Sequence, residues 1–149
     1  MKNKQELTVG YMLVAIALGL LTWISYHNLT EHEPSLDDFF DAIAQVESDG
    51  DPLAIGSSGE IGMHQITYSF WLDSMAYISI GGTHDSCSLE EYSKLIMQGY
   101  YRRYANKAWQ AEDWHTLAQI HHGGWNALNR NRKHNIAYAD RVVALMGAE

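Results

Sequence analysis

Apolar and polar positions along the chain fall into three regimes. From Leu7 to Thr30 there is no formal charge, and Val9–Tyr26 is almost wholly apolar. A bilayer core of roughly 30 Å needs about 20 helical residues, so this run predicts a transmembrane helix over residues 7–29, with Tyr11, Trp23 and Tyr26 at interfacial positions. From Leu36 the spacing turns helical. Leu36, Phe40 and Ile43 share one face of a helix that Ser35 can cap, and Glu47, four residues beyond Ile43, ends the same stripe in a carboxylate. Asp49 to Gly62 then loses all periodicity in favour of turn residues. Beyond it the pattern predicts helices at about Tyr68–Tyr77, from Ser88-Leu-Glu-Glu91 to about Asn106, from Trp114 to His122 after an Asp113 cap, and from about Asn135 to Met146. Leu89, Tyr92, Leu95, Ile96 and Gly99 form the expected buried stripe of the long helix.

The expected organisation is a cytoplasmic N-terminus (1–6), the transmembrane helix (7–29), a linker (30–35) and one mainly α domain with a small irregular or β insertion (36–149). Lys2 and Lys4 precede the apolar run, and no Lys or Arg follows it until Lys94. That asymmetry predicts a single-pass protein with its domain on the extracytoplasmic side.

Composition changes the picture in two ways. With 10 Lys and Arg against 18 Asp and Glu, the net charge of −8 repels phosphate backbones, so nucleic acid is not an expected partner. Cys87 is the single cysteine, which excludes an intramolecular disulfide framework and cysteine-based metal clusters. His115, His121 and His122 do not read as a metal set either, because adjacent helical residues point about 100° apart. Neither metal nor cofactor is expected.

Glu47 carries the most chemistry. An acid on an apolar face at a helix C-terminus is desolvated and feels the negative end of the helix dipole, and both effects favour the protonated form. Such a carboxyl suits general acid work near neutral pH. The Gly-Met-His-Gln segment that follows places Gly62 for close backbone approach, and Gln65 offers both a donor and an acceptor.

Val46-Glu47-Ser48 followed by Gly59-Glu-Ile-Gly62-Met-His-Gln65-Ile66 resembles the lytic transglycosylases of the lysozyme-like superfamily. Gly62 through Trp71 to Asp73, Tyr101-Arg-Arg-Tyr104 and Ala118-Gln-Ile-His121-His-Gly-Gly124 are similar, in the same order, to segments of the invertebrate-type lysozymes, or destabilases. The resemblance spans roughly residues 40–126. It implies cleavage of the β-1,4 bond between N-acetylmuramic acid and N-acetylglucosamine in peptidoglycan, whether in a bacterium or in a bacterial virus. Glu47 would be catalytic, and Ser48, Gly62, Gln65, Tyr101, Tyr104, His121 and Trp125 would line the glycan groove.

Two features depart from the lysozyme branch. Its disulfides are absent, and the segment that would carry its second acid reads Ala54-Ile55-Gly56. Asp49, Asp51, Glu60 and Asp73 are the nearby candidates for a relocated second carboxylate. Without one, the resemblance implies transglycosylase chemistry, in which Glu47 alone protonates the glycosidic oxygen and then deprotonates the muramic 6-hydroxyl. A hydrolase with a shifted second acid, and a silent wall-binding module tethered to the lipid bilayer, are the alternatives.

Overall fold

The computed structural model describes residues 12, 13, 15–23 and 33–147. Two units separate, at Met1–Glu33 and Pro34–Glu149. In the first, residues 15–23 are helical, and the Thr22 hydroxyl donates back to the Leu18 and Gly19 carbonyls at 3.0 and 2.9 Å. The expected transmembrane helix is not found. Among the described residues no helix is long and apolar enough to cross a membrane. Residues 7–11, 14 and 24–29 of the expected span, and the tail 1–6, lie outside the described residues.

The second unit is helical. Its elements are α1 (Leu36–Ser48), α2 (Tyr68–Met75), a 3-10 turn (His84–Ser88), α3 (Glu90–Tyr104), α4 (Asn106–Gln110), α5 (Trp114–Gly123) and α6 (Arg132–Met146). Ser35 and Asp38 close a reciprocal capping box on α1, whose first turn holds Asp37 and Asp38, acids that suit the positive end of the helix. Asp49 at φ 54° ends it, in the left-handed conformation that suits an Asp or Asn. Thr67 caps α2 and Asp113 caps α5 through their side chains.

α5 packs chiefly on α6, α1 lies across α6, and α2 rests on α3. Phe39, Phe40, Ile43, Ile66, Ile96, Met97, Tyr101, Leu117 and Val142 are all below 2 % exposed and fill the space between them. Burying such side chains contributes about 1.5–3 kcal/mol each, which is how one core stands without a disulfide.

Two local expectations are corrected, and the insertion takes its irregular form, with no strand among the described residues. Ile55, Ile61 and Ile66 make only single antiparallel bridges, because Gly59 (φ 86°), Gly62 (φ 80°) and Gln65 (φ 47°) interrupt extended backbone. The Ser88 capping box is also absent. α3 starts from an uncapped Leu89, and the Ser88 hydroxyl donates to Asp85 O at 2.9 Å within the 3-10 turn. Finally, the buried face of α3 carries Ser93, Ile96, Met97, Gly99, Tyr100 and Tyr101, while Leu89 and Leu95 are 63 % and 47 % exposed. Gly99 belongs there because a Cβ would collide with the Ser74 hydroxyl, which donates to Ile96 O and pins α2 against α3.

Candidate active site

Glu47 sits on the last turn of α1 with its side chain 21 % exposed. Burial is the main force on its carboxyl and raises its pKa above the ordinary 4.5. The Tyr138 hydroxyl, His122 and Arg141 oppose that rise, and the charge of Glu60 adds to it.

His121 approaches the acid from α5. Its Nε2 lies 3.8 Å from Glu47 Oε1 and 3.1 Å from His64 O, and its Nδ1 lies 3.2 Å from the Tyr101 hydroxyl. The His64 carbonyl at Nε2 requires the proton there, so Nδ1 accepts from Tyr101. Burial holds His121 at a pKa of about 4, so it is neutral at pH 7 and stands beside Glu47 without a charge. Tyr101 is fully buried, and burial raises its pKa well above 10, so its hydroxyl stays protonated.

α6 closes the other side. The Tyr138 hydroxyl is buried without a partner in hydrogen-bond geometry among the described residues, and its interaction with the Glu47 carboxylate adds to the burial that raises its pKa. His122 stacks on the Tyr138 ring at 4.4 Å and 12°, and the Arg141 guanidinium lies 5.7 Å from its centroid. Sequence reasoning missed Tyr138 and Arg141. Their i, i+3 spacing within the last helix was the available signal.

The loop after α1 is held from within. The Ser48 hydroxyl donates to Met63 O at 2.8 Å, tying the helix end to the Gly-Met-His-Gln segment. Gln65 donates to Gly62 O (2.8 Å) and Ala54 O (3.3 Å). A Cβ on Gly62 would collide with Cys87 O, so this glycine serves close backbone packing. His64 is buried with Nδ1 2.7 Å from the Ser93 hydroxyl, which itself donates to Glu90 O. Burial lowers the His64 pKa to about 4.

The remaining acids separate by position. Glu60 is the candidate whose charge is felt at Glu47, and its carboxylate accepts from Ser58 N at 2.9 Å. Asp49 accepts from Gln45 at 3.1 Å, Asp51 accepts from Leu53 N at 2.9 Å, and Asp73 pairs with Arg103 at 3.8 Å. His115 is bonded to Asp140 and Gln119, and among the described residues no three metal-binding side chains converge.

Tyr104 and Trp125 lie elsewhere, in a cleft of about 620 Å³ between the C-terminal end of α3, α4, α5 and the loop before α6. The expected groove residues therefore divide. Tyr101 and His121 surround Glu47, Ser48 and Gln65 build the adjoining loop, and Tyr104 and Trp125 line the separate cleft. Around Glu47, a half-buried carboxyl whose pKa burial raises stands beside His121 and Tyr138, an arrangement suited to giving a proton and then taking one back. Compared with known proteins, residues 25–141 match the family model described as the transglycosylase SLT domain. No curated protein matches the chain.

Proposed function

Because the chain belongs to the transglycosylase SLT domain family of the lysozyme-like superfamily, whose members cleave glycosidic bonds in peptidoglycan, we propose that it is a lytic transglycosylase with Glu47 as its single acid and base. The observation that carries this reading is the setting of Glu47: a carboxyl largely withdrawn from water at the end of α1, with His121 at 3.8 Å and Tyr138 beside it, where burial raises its pKa.

In the first step protonated Glu47 gives its proton to the oxygen of the bond between N-acetylmuramic acid and N-acetylglucosamine, and that bond breaks as the oxygen leaves. The anionic carboxylate so formed is favoured by the Tyr138 O–H and by the charges of His122 and Arg141, which act on it as it appears. In the second step Glu47 accepts the proton of the muramic 6-hydroxyl while that oxygen bonds to C1 of the same sugar. The ring closes to a 1,6-anhydro end and Glu47 is again protonated. Water is not consumed. An intramolecular nucleophile has an effective concentration far above that of a free one, which is why no second carboxylate is needed to activate water. Such a substrate lies on the extracytoplasmic side of a cell.

A hydrolytic reading has one observation in its favour, the charge of Glu60 acting on Glu47. Glu60 would then activate water, as the second carboxylate does in inverting glycosidases. A zymogram on purified peptidoglycan tests the common part of both readings: clearing by the wild-type chain and none by Glu47→Gln supports them, and clearing by both overturns the assignment of Glu47.

A further inference from the structure

The cleft that holds Tyr104 and Trp125 carries a cation without an ion-pair partner among the described residues, in an acidic chain. It is lined by Arg103 and Lys107 against one acid, Asp113, in a protein of net charge −8. Asp113 is committed to capping α5 at Thr116 N, 3.0 Å away. Arg103 is committed to Asp73 and lies over the Tyr104 ring at 4.9 Å. Lys107 has no ion-pair partner among the described residues and is exposed. At the rim the Trp125 side chain is 63 % exposed, while its backbone N–H is fixed to the Tyr100 hydroxyl at 3.0 Å.

The cleft is also rigidly spaced from Glu47. His121 contacts the edge of Phe70 (5.5 Å), Phe70 stacks on Tyr100 (3.7 Å), and Tyr100 meets Tyr104 in the cleft wall (4.8 Å). Phe70 and Tyr100 are buried, so this row of rings fixes the separation of the two sites.

We propose that this cleft is a second binding site, one that takes the acidic peptide substituent of a muramyl residue while Glu47 acts on the glycan. The inference rests on the peptidoglycan reading above. A cavity of about 620 Å³ accommodates several peptide residues, more than a single carboxylate needs. Lys107, the cleft cation left unpaired among the described residues, provides the charge for a peptide carboxylate, and Trp125 provides an apolar face beside it.

Binding by isothermal titration separates this proposal from catalysis. The probes are a muramyl tetrasaccharide carrying stem peptides, the same tetrasaccharide without peptides, and neutral chitotetraose. Lys107→Ala should weaken binding of the peptide-bearing probe about two- to fivefold, the scale of an exposed charge pair, with Lys107→Arg restoring it. Both other probes should bind all variants alike, and the difference should vanish in about 1 M salt, where the screening length is near 3 Å. Equal weakening on the peptide-free muramyl probe would assign the contact to the lactyl carboxylate and overturn the proposal, as would no weakening on any probe. A chain that binds the peptide as expected yet clears no peptidoglycan would contradict the proposed function alone.

Discussion

His121 Nε2 stands 3.8 Å from Glu47 Oε1, and the imidazole that faces the acid is uncharged. The His64 carbonyl at Nε2 fixes the tautomer, so what faces Glu47 is a neutral imidazole and not a compensating positive charge. An imidazolium there would hold the carboxyl ionised. A neutral imidazole leaves burial as the dominant effect, and it raises the Glu47 pKa.

The Tyr138 hydroxyl lowers the Glu47 pKa against that burial. Tyr138→Phe should therefore push the Glu47 pKa further up and move the alkaline limb of the rate profile to higher pH. The maximal rate should fall about 10- to 100-fold, as expected when a donor to a developing charge is lost. A pH–rate profile of both proteins checks this, and a limb shifted to lower pH would contradict the assigned contact.

Glu47 also makes stability depend on pH. Its folded pKa is above the unfolded value near 4.5, so the unfolded chain releases its proton first as pH rises, and stability falls between those two values. Glu47→Gln removes this loss. Thermal melts should show the variant more stable than wild type at pH 7 and the gap closing at pH 4; a gap of the same size at both would refute the raised pKa.

His64 and His121 act in the opposite direction. Both have pKa values lowered to about 4 in the fold from 6.5 in the unfolded chain, so the stability they contribute is complete above pH 6.5 and lost as pH falls toward 4. Gln is uncharged and can still donate to the Ser93 hydroxyl. His64→Gln should flatten the decline across that window by roughly half, since two similar groups share it. Denaturant melts from pH 7 to 4 measure the slope.

Much of this was legible in the sequence. The stripe Leu36, Phe40, Ile43, Glu47 placed an acid at the end of an apolar helix face, and α1 has the bounds that its caps predict. What pattern could not give was tertiary. Leu89 and Leu95 looked like core by hydrophobicity, yet the buried face uses Ser93 and Gly99, because hydrogen bonds and close approach decide that surface. The role of Gly62 is set by Cys87, far along the chain, and that of Tyr138 by a helix folding back over α1. The apolar N-terminal run predicted a span by composition alone, and among the described residues no helix is long and apolar enough to cross a membrane.

Gly62 offers a test of that packing. Its φ of 80° and the Cys87 carbonyl standing where a Cβ would go both oppose a side chain. Gly62→Ala should destabilise the fold by about 2 kcal/mol or more, from left-handed backbone and overpacking together. Chemical denaturation measures it, and a change below about 0.5 kcal/mol, the range of ordinary surface substitutions, would contradict the packing.

Glu60, Asp49, Asp51 and Asp73 decide whether one carboxyl suffices. Glu60→Gln, Asp49→Asn, Asp51→Asn and Asp73→Asn should each keep most of the activity, since the last three are tied to local backbone or side-chain partners and Glu60 is tied to Ser58. A loss of about 10³-fold or more in any of them would mark a second catalytic carboxylate.

Mass spectrometry of the fragments released from purified peptidoglycan tests the single-acid mechanism most directly, with Glu47→Gln run in parallel. Wild-type fragments should end in 1,6-anhydromuramic acid, and the variant should release none. Fragments with reducing muramic ends would show that water is the nucleophile and contradict the mechanism.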